Sequence, residues 1–136
     1  MSSAIECEQE IIVGRAVTIE CPSPVSSYSV VFEDDGETGY FYALQTTVEA
    51  ADEQPILDAL HIYNVESVTD RSISSSVQIV WSEDGLKSAL VINRYPHAVL
   101  DFESKRGYCR TGFPPPSADW SAEGHDWKDS AIDLFK

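Results

Sequence analysis

Within 17 positions the chain places Arg94, His97, Asp101, Tyr108, Cys109 and Arg110. Cysteine, histidine and aspartate can serve as nucleophile, base and orienting group, but only where they converge in space. On an extended strand His97 and Asp101, four residues apart, share a face, whereas the register of Cys109 opposite them is open. An unpaired cysteine is more often a small core residue than a nucleophile, and a histidine is more often part of the hydrogen-bonded framework than a base. Arg94, Arg106 and Arg110 could together fork onto a carboxylate or phosphate. The plainer expectation is that they neutralise carboxylates of the same protein.

A second cluster has the opposite sign. Glu33, Asp34, Asp35 and Glu37 crowd around Gly36. A calcium loop needs ligands at alternate positions and a closing bidentate carboxylate, and that pattern is absent. The tip therefore reads as a solvated turn or as a contact surface for a basic partner. Glycine-rich nucleotide loops, the HExxH and GxSxG motifs and Cys/His finger spacings do not occur in the sequence. His61, His97 and His125 are widely dispersed. Neither a metal nor a cofactor is expected.

The bulk properties narrow the partners. At 136 residues and 43% hydrophobic content, the chain suits one domain, residues 1–136, with a continuous core. Residues 1–70 hold 14 acids and a single base, Arg15, whereas residues 71–136 hold 9 acids and 8 bases. Such asymmetry disfavours nucleic acid and anionic membrane, leaving a basic protein partner or plain solubility. Glu6, Glu8 and Glu10 stand where a signal peptide would carry a basic start and an apolar run, and no stretch reaches the apolar length of a membrane span. A cytoplasmic protein is expected. Cys7, Cys21 and Cys109 form no CxxC pair and leave one over in any pairing. Reduced thiols are the expectation, with a Cys7 to Cys21 bridge possible only if geometry allows it.

The elements that would position these residues are mostly strands. Val77 to Trp81, the Asp84-Gly85 pair and Leu86 to Ile92 spell a hairpin. Val30 to Phe32, Gly36 and Gly39 to Leu44 spell a similar one earlier, and the two are expected to build one sheet. Tyr40 and Tyr42 share one face and Phe41 takes the other. This strand is either covered on both sides, has a binding surface outside, or forms an edge at which copies of the chain associate. Ile11 to Val13 and Ala16 to Ile19 read as strand interrupted by Gly14. A third hairpin is expected from Ala98–Phe102 and Tyr108–Arg110, turning at 104–107 with Gly107 in the awkward conformation. Ala50 to Leu60 reads as a short helix, with Asp52 as cap and Ile56, Leu57 and Leu60 as its buried face. After a stiff Pro114-Pro115-Pro116 spacer, the spacing of Trp127, Ala131 and Leu134 predicts a C-terminal helix over about 121–135.

The strings Val31 to Leu44, Ile56 to Val65, Val80 to Asn93, His97 to Phe102 and Gly107 to Pro115 resemble a bacterial family catalogued only as a domain of unknown function. The likeness runs roughly from Val30 to Pro116 and implies no activity and no site residues. In size and charge the chain also resembles toxin-neutralising immunity proteins. The expected fold is α+β: a mainly antiparallel sheet of about six strands from successive hairpins, a short central helix, and a C-terminal helix packed on the sheet. The expected function is non-enzymatic binding of a basic protein through Glu33, Asp34, Asp35 and Glu37. A small-molecule anion site or enzyme around Arg94, His97, Asp101, Tyr108, Cys109 and Arg110 is the alternative, and homo-oligomerisation is open.

Overall fold

Alternating apolar residues are what divide the described part of this chain into nine strands. The computed structural model describes residues 3–45, 56–70, 72–114, 120–121 and 124–135. In order these are β1 (Ser3–Ile11), β2 (Val17–Pro22), β3 (Tyr28–Asp34), β4 (Thr38–Gln45), β5 (Ile56–Asn64), β6 (Ser75–Ser82), β7 (Lys87–Ile92), β8 (Tyr95–Asp101) and β9 (Arg106–Cys109). Every pairing is antiparallel. They form two sheets, one ordered β1-β6-β7-β8-β9 and the other β2-β3-β4-β5.

Both glycine-centred bends are present, and Gly36 and Gly85 take positive φ (99° and 71°). The expectation that they share one sheet is corrected: the β3–β4 hairpin lies in the four-stranded sheet and the β6–β7 hairpin in the five-stranded one. Gly85 is needed for space as well as for φ, because a Cβ there would stand 2.5 Å from Ser23 Oγ and from Val25 Cγ2. A further bend joins β7 to β8, where Asn93 (φ 52°) and Arg94 (φ 68°) occupy the left-handed region of a two-residue hairpin turn. The turn before β9 also differs from expectation. Lys105, not Gly107, takes the positive φ (58°), and Gly107 sits inside β9, where a Cβ would meet Asp58 Oδ2 at 2.8 Å and Leu60 Cδ2 at 2.9 Å.

The α+β expectation is overturned. Ile56 to Leu60, expected as the apolar face of a helix, belong to β5; residues 50–55 of that stretch lie outside the described residues. Five residues with apolar side chains at 56, 57 and 60 satisfy either period, and pairing with β4 decides for strand. The C-terminal stretch is helical only as a 3-10 segment, Asp129–Phe135. Before it the backbone is already committed to the sheet: Ser121 N–H donates to Lys105 O (2.9 Å), and Cys109 N–H donates to His125 O (2.9 Å). Ala131 and Trp127 nevertheless pack on the outer face of the five-stranded sheet, against Ala89, Val99, Val80 and Tyr108.

The inner faces enclose one core. Phe32, Phe41 and Leu60 from one sheet meet Trp81, Ile79, Leu90 and Leu100 from the other, all essentially inaccessible. Each such side chain contributes on the order of 1.5–3 kcal/mol by leaving water. At one end Tyr28, Trp81 and Trp120 all meet the ring of Phe102, the first two stacked and Trp120 edge-on, with ring centroids 4.4 to 5.6 Å apart.

Two sheets sharing a core leave two lateral seams. One runs between β1 and β2 and is closed by a Cys7–Cys21 disulfide, with Cα atoms 6.1 Å apart. This corrects the expectation of reduced thiols. A spacing of 14 residues does not reveal that the two cysteines fall on facing edges of different sheets. The other seam, between β5 and β9, is bridged by His61 N–H donating to Phe113 O (2.9 Å) and Thr111 Oγ1 donating to His61 O (2.6 Å). Replacing Cys7 and Cys21 by serine reopens a loop of about 14 residues in the unfolded chain and is expected to cost about 2–4 kcal/mol, read as a lowered urea midpoint; a midpoint insensitive to the substitutions and to reductant counts against the seam.

Candidate functional site

Register turns the outer face of the four-stranded sheet into an ordered surface. One cross-strand row runs Thr18, Glu33, Tyr40, His61, and the next runs Glu20, Val31, Tyr42, Ala59. Tyr40 and Tyr42, two apart on β4, stack at 5.7 Å between centroids, and the His61 ring meets Tyr40 edge-on at 5.3 Å. Burial raises the Tyr42 phenol pKa, with Glu33 adding to the effect. Among the described residues the C-terminal 3-10 segment contacts β6 and β8 of the other sheet, and no helix or strand outside the four-stranded sheet makes an extensive contact with β3 or β4. β4 is an interior strand, so the expectation that it forms an edge for self-association is corrected; its exposed feature is its face.

The acidic tip divides by burial. Asp35 and Glu37 are exposed and Glu33 is half-buried. Asp35 Oδ1 accepts the N–H groups of Glu37 and Thr38, both at 2.9 Å, and these hydrogen bonds lower its pKa. Asp34 is 1% exposed and is removed from the expected partner surface. Its carboxylate accepts from Gly36 N–H (2.8 Å), Gly14 N–H (2.8 Å) and Tyr63 Oη (2.6 Å). It thereby ties the β3–β4 tip to the β1–β2 turn and to β5. Strand alternation puts residue 34 on the inner face with Phe32, a signal already present in the sequence but masked by its acidic neighbours. Burial and the Asp34 carboxylate push the Tyr63 phenol far above its usual pKa. Beside the tip an open depression of about 430 Å³ is bounded by Glu37, Asn64 and Glu66.

The residues expected as an anion site or catalytic cluster are dispersed. Arg94 is exposed in the β7–β8 turn. Asp101 is buried and caps the next turn, accepting from Glu103 N–H (3.0 Å) and Ser104 N–H (3.2 Å). Tyr108 faces outward beneath the Arg106 guanidinium, 4.9 Å from its ring centre. Cys109 lies opposite Ala98 in the core, fully inaccessible; burial raises its thiol pKa, the reverse of what a nucleophile requires. Arg110 lies between the rings of Tyr95 (4.5 Å) and Trp127 (4.0 Å), and its Nε donates to Pro96 O at 3.0 Å. His97 is the extra residue at a bulge in β8, and burial together with Arg110 lowers its pKa. Only His97 and Arg110 of the six are brought into electrostatic contact. Among the described residues no group of three or more His, Cys, Asp and Glu could hold a metal ion.

Sequence reasoning missed the most connected polar centre. Asp58 of β5 lies within 2.9 and 3.0 Å of His125 Nε2 through its two carboxylate oxygens. It also accepts from Ser121 Oγ (2.7 Å), and Ser121 Oγ in turn accepts the Gly107 N–H (2.7 Å). His125 Nδ1 faces Pro114 O. Both ring nitrogens thus meet acceptors, which requires the doubly protonated imidazolium. Burial opposes that charge, but Asp58 and the Pro114 carbonyl outweigh it and raise the His125 pKa. Serine, histidine and aspartate are all present, yet the aspartate stands between the other two and no ring nitrogen is free to act as a base. A separation of 67 residues left no local signal.

Residues 11–136 match the family described as an uncharacterized protein conserved in bacteria, domain of unknown function 2251. The chain belongs to that family. An uncharacterized protein of Haemophilus influenzae is 42% identical over 119 residues, covering 85% of this chain and 72% of the relative. No solved structure matches. Among the described residues no helix is long and apolar enough to cross a membrane.

Two outcomes test these polar centres. Because the folded His125 pKa lies above the unfolded value of about 6.5, its contribution is full below that pH and is lost as pH rises through the folded pKa. The lowered pKa of His97 acts below pH 6.5 instead, so the windows separate. Denaturation midpoints should fall between about pH 6.5 and 8 in the native protein, short of the range where the raised Cys109 and Tyr63 pKa values also lower stability, and become flat in that window in His125→Asn. Tyr63→Phe should cost about 1.5–3 kcal/mol, the worth of a hydrogen bond to a charged group, in urea melts at pH 7.

Proposed function

We propose that this protein is a non-catalytic binding protein whose outer four-stranded face takes a basic segment of a partner protein. The observation that carries the reading is the stacked Tyr40–Tyr42 pair with Glu33 directly opposite Tyr40 and, among the described residues, no helix or strand from outside the sheet in extensive contact with β3 or β4. Tyrosine faces attract guanidinium and ammonium groups, and carboxylates at the rim steer and orient them. Glu20 flanks the second row, and Asp35, Glu37 and Glu66 extend negative charge around the tip. The surface differs from the one expected from sequence, since it gains two tyrosines and loses Asp34.

The competing enzymatic reading lacks support from the six residues assigned to it, which occupy a turn tip, a turn cap, the core and an outer face. A Cys7–Cys21 bond is of the kind that persists outside reducing compartments, so the cytoplasmic placement expected from the acidic N-terminus is not part of the proposal.

Fluorescence anisotropy with a labelled peptide of alternating arginine and glycine provides the test. Binding at low ionic strength should weaken as salt rises, and should weaken several-fold in Glu33→Gln, Glu20→Gln and Tyr42→Ala while Glu103→Gln, in the β8–β9 turn, leaves it unchanged. Equal loss in Glu103→Gln, or no binding at low salt, overturns the assignment of this face.

A further inference from the structure

At the end of the sandwich marked by Asp34 and Gly14, the sheets part around a cleft of about 320 Å³. Its floor is continuous with the core, since Ile11, Val13 and Ile92 line it and are themselves 5 to 8% exposed. Val68 and Tyr63 wall one side, and Tyr95 and His97 wall the other. The size is at the lower end of small-ligand sites, which combine an apolar lining with a few polar groups. It has room for one or two fused rings.

The polar groups around the cleft are nearly all committed. Tyr63 Oη donates to Asp34. Asn93 Oδ1 accepts from Ser76 N–H, and Asn93 Nδ2 donates to Ser75 Oγ. His97 is the exception: its half-buried imidazole has no hydrogen-bond partner among the described residues, and its ring is fixed edge-on against Tyr95 at 5.5 Å. Burial and the neighbouring Arg110 keep that ring neutral at pH 7, and a neutral imidazole carries one acceptor nitrogen. An apolar, aromatic-walled recess with one unused acceptor at its rim complements a small uncharged aromatic bearing one donor.

We propose that the cleft between Ile11, Ile92, Val68 and His97 is a binding site for a small neutral aromatic of the phenol or indole class, its O–H or N–H donated to His97. The ring enters against Ile11, Val13 and Ile92, and Tyr95 forms an aromatic side wall. This site lies apart from the tyrosine face of the four-stranded sheet, and its occupancy does not depend on the binding of a basic partner.

Methyl-labelled protein titrated with 4-methylphenol, and separately with toluene, tests the site by NMR. The Ile11, Val13 and Ile92 methyl signals should shift with both probes, 4-methylphenol binding more tightly. His97→Phe should weaken 4-methylphenol roughly fivefold, the worth of one neutral hydrogen bond, and leave toluene unchanged; Val68→Phe should weaken both by filling the recess. Unshifted methyl signals in the native protein at millimolar probe overturn the site. Toluene binding as tightly as 4-methylphenol, or a His97→Phe variant indifferent to the phenol, overturns the role of His97.

Discussion

The carboxylate of Asp58 is the point on which the closed form of this sandwich depends. It sits where β5 faces β9, holds His125 and Ser121, and lies so near Gly107 that no side chain could stand there. A buried ion pair is not in itself a large source of stability, because desolvating both charges offsets much of their attraction. Its effect is to make the alternatives costly. With either partner absent the other is left charged and dry, so the segment carrying His125 has one favourable place to lie. That placement delivers Ala131 and Trp127 to the outer face of the five-stranded sheet.

The two outer faces consequently differ. One is covered by the chain's own C-terminal segment, while the other presents Tyr40, Tyr42, Glu20 and Glu33. The charge asymmetry along the sequence becomes a polarity across the fold, because β2 to β5 all precede residue 70 and β6 to β9 all follow it. Acid-rich sequence builds the four-stranded layer, while the five-stranded layer combines the segment bearing most of the bases with the acidic β1. Several of those bases are held locally: Arg110 between two rings, Arg106 over Tyr108, Lys87 beside Glu103.

What could be read in advance was local. Asp84-Gly85 and Gly36 announce tight bends because few residues tolerate their φ, and the alternation around them marks strands. Which sheet each hairpin joins depends on long-range pairing that no short window contains. Ile56, Leu57 and Leu60 fit a helical face as well as a strand, and only the neighbour β4 separates the two. The Asn93-Arg94 turn carries no such announcement, because arginine is an unusual occupant of the left-handed region. Cys7 with Cys21, and Asp58 with His125, are pairs made by the topology, and their types carry no address for one another. Asp34 is the instructive case: its position in the alternation was correct for burial, but its company suggested solvent.

Sheet edges are where folded chains join one another wrongly, and here they are largely disarmed. The flank of β9 is occupied by the backbone of His125 and Asp126, and that of β5 by Phe113. The remaining flanks, β1 and β2, are tied together through sulfur and carry Glu6, Glu8, Glu10 and Glu20. Strand-to-strand stacking of copies would press like charges together. The acidity of the first strands thus doubles as protection against fibrillar assembly, a protection that weakens as salt screens those carboxylates.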